Sequence, residues 1–130
     1  RYHATYLDEN EINEVEVLSG AFMLIKASVI KEIGGFDESF FMYCEDVDLC
    51  LRISQAGYKL MYLPFAEITH LKGQSGLNSK NRFVIKHFHK SMLIFYNKHF
   101  KKKYGILVTA MVYMGVYLKM WLAYLKSYLK

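Results

Sequence analysis

Apolar and polar residues alternate over Glu14-Val15-Glu16-Val17-Leu18, the two-residue period of a strand, and Ser19-Gly20 breaks the run. The apolar stretch Ala21-Phe22-Met23-Leu24-Ile25-Lys26 fits either a second extended piece or the entry to a helix. From Ala27 to Ile33 the apolar positions Val29, Ile30 and Ile33 predict a short helix. Gly34-Gly35 stops it, because glycine takes the left-handed position after a helix without a Cβ penalty. Phe36 to Tyr43 is an aromatic loop. Glu45 to Ala56 then reads as a helix ended by Gly57, with Val47, Cys50, Leu51 and Ser54 on one side and Leu49, Ile53 and Ala56 on a neighbouring one. Tyr58 to Leu63 is a short strand ended by Pro64, and Ala66 to Leu71 is a candidate for another. After the loop Lys72-Gly73-Gln74-Ser75-Gly76, Asn81 or Ser79 is placed to cap a helix running from Arg82 to about His99. Lys101-Lys102-Lys103 interrupts the pattern; Gly105 to Leu118 is uncharged, Lys119 breaks the run, and Met120 to Leu125 resumes it.

Composition narrows the class. A chain of 130 residues suits one domain, and 53% hydrophobic with 16% aromatic residues is not the make-up of a disordered segment. The net charge of +5 conceals a division. Residues 1–67 hold all 12 acidic residues and five basic ones; from Ile68 onward there are 12 basic residues and no acidic one. The basic residues sit among Tyr, Phe, Met, Leu and Val, which favours an anionic membrane surface over nucleic acid as the partner of this tail. As a helix, Gly105 to Leu125 would be about 30 Å long, enough to span a bilayer, but Lys119 argues for docking on the surface. The competing expectation is a soluble helical hairpin. Cys44 and Cys50 lack metal-site spacing and read as reduced thiols in a cytosolic compartment. The sequence opens at Arg1-Tyr2-His3 with neither an initiator Met nor a signal peptide, and is read as a fragment.

The sharpest chemical feature is Phe40-Phe41-Met42-Tyr43-Cys44-Glu45-Asp46-Val47-Asp48-Leu49-Cys50-Leu51-Arg52. Three carboxylates crowd one helix start behind bulky aromatics. Aromatic faces suit the apolar face of a sugar ring, and a carboxylate at a helix mouth can take a proton from a hydroxyl. The helix dipole favours negative charge there and mutual repulsion opposes it. The plain reading is that acidic residues are preferred in first helical turns. His87 and His89 lie about 200° apart around a helix, so with His99 they read as surface residues and not as a metal site.

This stretch resembles the C-terminal part of the nucleotide-sugar glycosyltransferase domain of family 2, especially its bacterial rhamnosyltransferase-like members. The resemblance runs from Ser19-Gly20-Ala21-Phe22-Met23-Leu24-Ile25-Lys26 through Ile33-Gly34-Gly35-Phe36-Asp37-Glu38-Ser39-Phe40-Phe41 and Glu45-Asp46-Val47-Asp48-Leu49-Cys50-Leu51-Arg52. It continues through Ala56-Gly57-Tyr58 to His70-Leu71-Lys72-Gly73-Gln74-Ser75, covering roughly residues 15–80. It implies an α/β fold: residues 1–80 as the acceptor half of a partial Rossmann-like, A-type glycosyltransferase domain, and 81–130 as a basic, aromatic-rich helical C-terminal extension. Neither a strand–helix nucleotide site nor the metal-binding Asp-x-Asp of the donor half is recognisable, since Asp46-Val47-Asp48 opens a helix instead of ending a strand.

The resemblance also implies roles. Asp46 takes the place of the catalytic base, which deprotonates the acceptor hydroxyl so that it displaces the nucleoside diphosphate with inversion. Glu45 and Asp48 would orient the acceptor or hold the helix start, and Phe41 and Tyr43 would bind it. His70 maps onto the histidine that completes a divalent metal site, for Mg²⁺ or Mn²⁺, in some relatives. Lys72, Gln74 and Ser75 would contact the donor diphosphate or close over the donor; the plain readings are a structural histidine at His70 and a solvated loop lysine at Lys72. The Gln-x-x-Arg-Trp motif of processive relatives is missing, so single-sugar addition is expected. The partners expected are a nucleotide-sugar donor, a glycan or lipid-linked acceptor, and the cytoplasmic face of the cell membrane, with no nucleic acid. The alternative is a non-enzymatic membrane-binding module that keeps the fold.

Overall fold

The computed structural model describes residues 6–71 and 81–128. Its elements are β1 (Asn13–Glu14), α1 (Ala27–Ile33), α2 (Glu45–Gln55), β2 (Met61–Tyr62), α3 (Arg82–His99) and α4 (Ile106–Tyr128). They fall into two compact units, one made of Arg1–Glu38 with Glu45–His70 and the other of Ser39–Cys44 with Leu71–Lys130. The aromatic stretch Ser39–Cys44 groups with the C-terminal helices.

In the first unit, Val29, Leu49, Cys50, Ile53 and Leu60 form the buried core, with Val15, Val17, Leu18, Met23, Ile25 and Ile33 packed against it. Helix α1 has the expected bounds and stops at Gly34 with φ 81°, whose N–H donates to Ile30 O at 2.9 Å. Gly57, just past α2, also has a positive φ, 86°, which favours glycine.

The sheet is smaller than the alternation predicts. β1 and β2 pair antiparallel over two residues each, Asn13 with Tyr62 and Glu14 with Met61, and Val15 N–H donates to Leu60 O at 2.9 Å. No strand forms over Ala66 to Leu71. Beyond Val15 the segment leaves the ladder and lies against α2: Leu18 N–H donates to Cys50 Sγ at 3.3 Å, and the thiol faces Leu18 O at 3.7 Å. Alternation thus reports one buried face, and here a helix buries it. Helices with a small sheet make the fold α/β. The described residues contain no parallel sheet.

In the second unit α3 and α4 form an antiparallel hairpin. Asn81 caps α3, its side-chain oxygen accepting from Phe83 N–H at 2.9 Å. Tyr96 Oη and Thr109 Oγ1 share a hydrogen bond of 3.0 Å near the turn, and Tyr113 Oη donates to Asn97 Oδ1 at 2.8 Å. At the far end the Arg82 guanidinium lies 3.9 Å from the Tyr128 ring centroid. His89 is buried, contrary to its reading as a surface residue, and its Nδ1–H donates to Ile85 O at 2.7 Å. Lys119 does not interrupt α4, because lysine is a good helix former and this one is exposed. At 23 residues α4 is long and apolar enough to cross a membrane, and only 6% of its most apolar window is buried.

Candidate active site

The acidic residues of α2 have three different environments. Asp46 is half-buried. Its Oδ2 accepts from Gly20 N–H at 3.0 Å and its Oδ1 from Val47 N–H at 2.8 Å. Two backbone donors therefore fix the plane of this carboxylate. Gly20 approaches it closely: a Cβ built there would lie 3.4 Å from Asp46 Cβ. Glu45 carries a buried Oε2 with no hydrogen-bond partner among the described residues. An unsatisfied buried acceptor costs about 1–3 kcal/mol, so this oxygen is a point of local instability at the helix start.

Asp48 is fully buried in the first turn of α2. Its Oδ2 accepts from Arg52 Nε at 2.8 Å, while Arg52 Nη1 donates to Ile33 O at 2.8 Å and Nη2 to Gly35 O at 2.6 Å. One guanidinium therefore ties the first turn of α2 to the end of α1. The four-residue spacing of Asp48 and Arg52 is visible in the sequence; the reach to two carbonyls is not. Gly20 as the donor to Asp46 carries no sequence signal beyond the break at Ser19-Gly20.

The chain enters α2 through strained backbone. Tyr43 and Cys44 both have φ 66°, left-handed values that non-glycine residues rarely adopt. Such outliers persist where the surroundings over-determine them, and they concentrate at functional sites. Phe41 and Tyr43 belong to the second unit. Phe41 packs edge-on against Phe83 at 5.5 Å and beside His87 at 4.8 Å, and Tyr43 packs edge-on against Phe88 at 5.3 Å. Both keep exposed surface, 64% for Phe41 and 40% for Tyr43, which leaves ring area for a ligand.

His70 is exposed at the end of an irregular segment. Among the described residues no group of three or more His, Cys, Asp or Glu side chains is placed to hold a metal ion. The described residues therefore do not build a metal site by themselves, and His70 is at most one ligand of such a site. Lys72, Gln74 and Ser75 lie outside the described residues. A cavity of about 560 Å³ in the first unit is lined by Leu18, Phe22, Leu24, Ile53, Leu60 and other mainly apolar residues; none of the three acids of α2 lines it, so its size does not mark the chemistry.

Burial of Cys50 pushes its thiol above the ordinary value; the Leu18 N–H bond opposes the shift and the negative charge of Asp46 adds to it. The thiolate is the reactive form. Iodoacetamide at mildly alkaline pH is thus expected to label half-buried Cys44 in the native chain and to spare Cys50 until denaturant is added. Equal labelling rates, read by peptide mass spectrometry, would show that the contact between Leu18 and α2 is not maintained.

A helix-mouth carboxylate fixed by backbone donors, with an unsatisfied acidic neighbour, is equipment for proton transfer from a hydroxyl. The chain belongs to a family of enzymes in which such chemistry is expected: residues 7–90 match the model described as glycosyltransferase like family 2. Within that family it is rhamnosyltransferase-like. It is 48% identical over 56 residues to the rhamnosyltransferase WbbL of Escherichia coli, covering 43% of this chain and 21% of that protein. It is 44% identical over 78 residues to the N-acetylglucosaminyl-diphospho-decaprenol L-rhamnosyltransferase of Mycobacterium tuberculosis, covering 60% of this chain and 25% of that protein. A pre-mycofactocin glycosyltransferase of M. tuberculosis is 41% identical over 56 residues, 43% of this chain and 12% of that protein. The chain thus spans a quarter or less of the length of these relatives. No solved structure matches it.

Proposed function

We propose that this chain is the acceptor side of an inverting glycosyltransferase that adds a single sugar to a hydroxyl of a lipid-linked surface glycan. The observation that carries the reading is the Asp46 carboxylate, fixed at the mouth of α2 by the Gly20 and Val47 N–H groups. Asp46 takes the proton of the acceptor hydroxyl. The freed oxygen bonds to the anomeric carbon, and the bond from that carbon to the nucleoside diphosphate breaks, its electron pair leaving on the diphosphate. Attack from the face opposite the leaving group inverts the anomeric centre. Glu45, beside Asp46 in the first turn of α2, orients the acceptor. The residues toward the donor, which the resemblance assigns to Lys72, Gln74, Ser75 and a divalent metal beside His70, belong to the same Rossmann-like reading. Rhamnose as the donor sugar and a diphospholipid-borne acceptor follow the names of the similar proteins.

The work place proposed is the cytoplasmic face of the membrane, with the α3–α4 hairpin lying in the interface. α3 runs antiparallel along α4 and exposes Lys86, Lys90 and Lys98. A crossing α4 would draw these toward the hydrocarbon, where each lysine costs about 2.5–3.5 kcal/mol at mid-depth. An in-plane hairpin keeps them at the headgroups.

The test is product stereochemistry. An enzyme that joins this segment to its donor-binding half, given nucleotide sugars and a lipid-linked acceptor, is expected to yield one added sugar with the anomeric configuration opposite to the donor's, read by NMR; the 130-residue chain alone is expected to transfer none. Retained configuration or a polymeric product would overturn the proposal. Absence of transfer from every nucleotide sugar tried would favour a non-catalytic membrane module.

A further inference from the structure

A groove of about 490 Å³ opens inside the second unit, where α3 begins and α4 ends. Arg82, Phe83 and Lys86 line it from α3, and Trp121, Tyr124 and Tyr128 from α4. Nothing in the proposed sugar-transfer chemistry uses it.

Three observations say what it accepts. Arg82 and Lys86 stand four residues apart on one helix, and so project from the same face as a pair of cations. Their own unit supplies no acidic side chain: Ser39–Cys44 and Leu71–Lys130 contain no Asp and no Glu. The wall opposite is aromatic, with Trp121 56% and Tyr128 66% exposed. Trp and Tyr rings settle at headgroup depth, where the ring is apolar and its polar edge stays wet. An inorganic anion would satisfy the two cations and leave that wall in water. A phospholipid headgroup covers both, its phosphate on the cations and its glycerol and first acyl carbons on the rings, continuous with the exposed apolar face of α4.

We propose that this groove seats the phosphate headgroup of an anionic membrane lipid. The inference rests on the interfacial placement of the hairpin, and its test needs neither vesicles nor sugar transfer. Trp121 is the chain's only tryptophan, so its fluorescence reads this groove directly. Titration of the 130-residue chain with dihexanoyl phosphatidylglycerol below its micellar concentration is expected to give a saturable blue shift. Each cation beside an anionic headgroup counts for about fivefold in affinity, so Arg82→Gln with Lys86→Gln should weaken the titration about thirtyfold. Replacing Lys101, Lys102 and Lys103 together by Gln should change it by less than about twofold, since charges beyond a Debye length are screened. An equal shift with inorganic phosphate would overturn the proposal in favour of a free-anion site. An equal shift with dihexanoyl phosphatidylcholine would reduce the groove to an apolar surface, and equal losses in the double and triple variants would mean diffuse charge. The comparison of ligands on the unaltered chain stands even if a variant fails to fold.

Discussion

Asp46→Asn is expected to lower turnover about 10²–10⁴-fold while affinity for the nucleotide sugar changes little, the usual cost of removing a positioned general base. The substitution keeps the shape of the side chain. Its amide oxygen can still accept from Gly20 N–H in the place of Oδ2, so the loop and the helix mouth stay together. The amide nitrogen in the place of Oδ1 no longer accepts from Val47 N–H, a loss of about 1 kcal/mol in stability and not in mechanism. Basicity is what disappears. Steady-state kinetics on the enzyme carrying this segment, with donor binding measured separately, check the separation of the two effects. Near-normal turnover would transfer the role to Glu45 or Asp48, the other two acids in the first turn of α2.

Arg52→Met is expected to destabilise the first unit by about 3–5 kcal/mol, the cost of removing one member of a buried ion pair. The guanidinium holds Asp48 Oδ2, Ile33 O and Gly35 O together, so its loss removes the charge partner of a carboxylate that has no exposed surface and frees two carbonyls at the end of α1. The midpoint of urea unfolding measures the effect. Removing both charges, with Asp48→Leu alongside Arg52→Met, is expected to recover most of the loss, because a well-packed apolar pair of similar volume is often as stable as a buried ion pair. A loss under about 1 kcal/mol in the single variant would show that the pair does not bear on the stability of the unit.

Local signals made the helices legible. α1 was marked by its apolar spacing and the glycine stop, and α3 by Asn81 at its start. α4 was legible as two apolar runs, and the structure joins them because one exposed lysine costs a helix little. The alternation overstates the sheet, since Val15, Val17 and Leu18 satisfy it on α2 and the core. The acidic cluster stood out by composition, but its internal division did not. Which acid is buried depends on Arg52 reaching carbonyls 17 and 19 residues away, and which is fixed by backbone donors depends on Gly20, 26 residues away. The left-handed pair Tyr43 and Cys44 was hidden because neither residue is glycine, so only the surrounding structure imposes that geometry.

The two-residue ladder between β1 and β2 has a kinetic meaning. Pairing Asn13 with Tyr62 closes a loop of roughly fifty residues, at an entropic cost of about 3 kcal/mol, against only a few hydrogen bonds worth about 0.5–1.5 kcal/mol each. Such a ladder cannot nucleate folding. α1 and α2, close in sequence and in contact, are expected to collapse first, with the N-terminal segment zipping onto them afterwards. Gly20 travels with that late segment, so the donor that orients Asp46 arrives after the core is formed. On heating the order reverses: the carboxylate loses its alignment in a local opening while the helices beneath it remain folded.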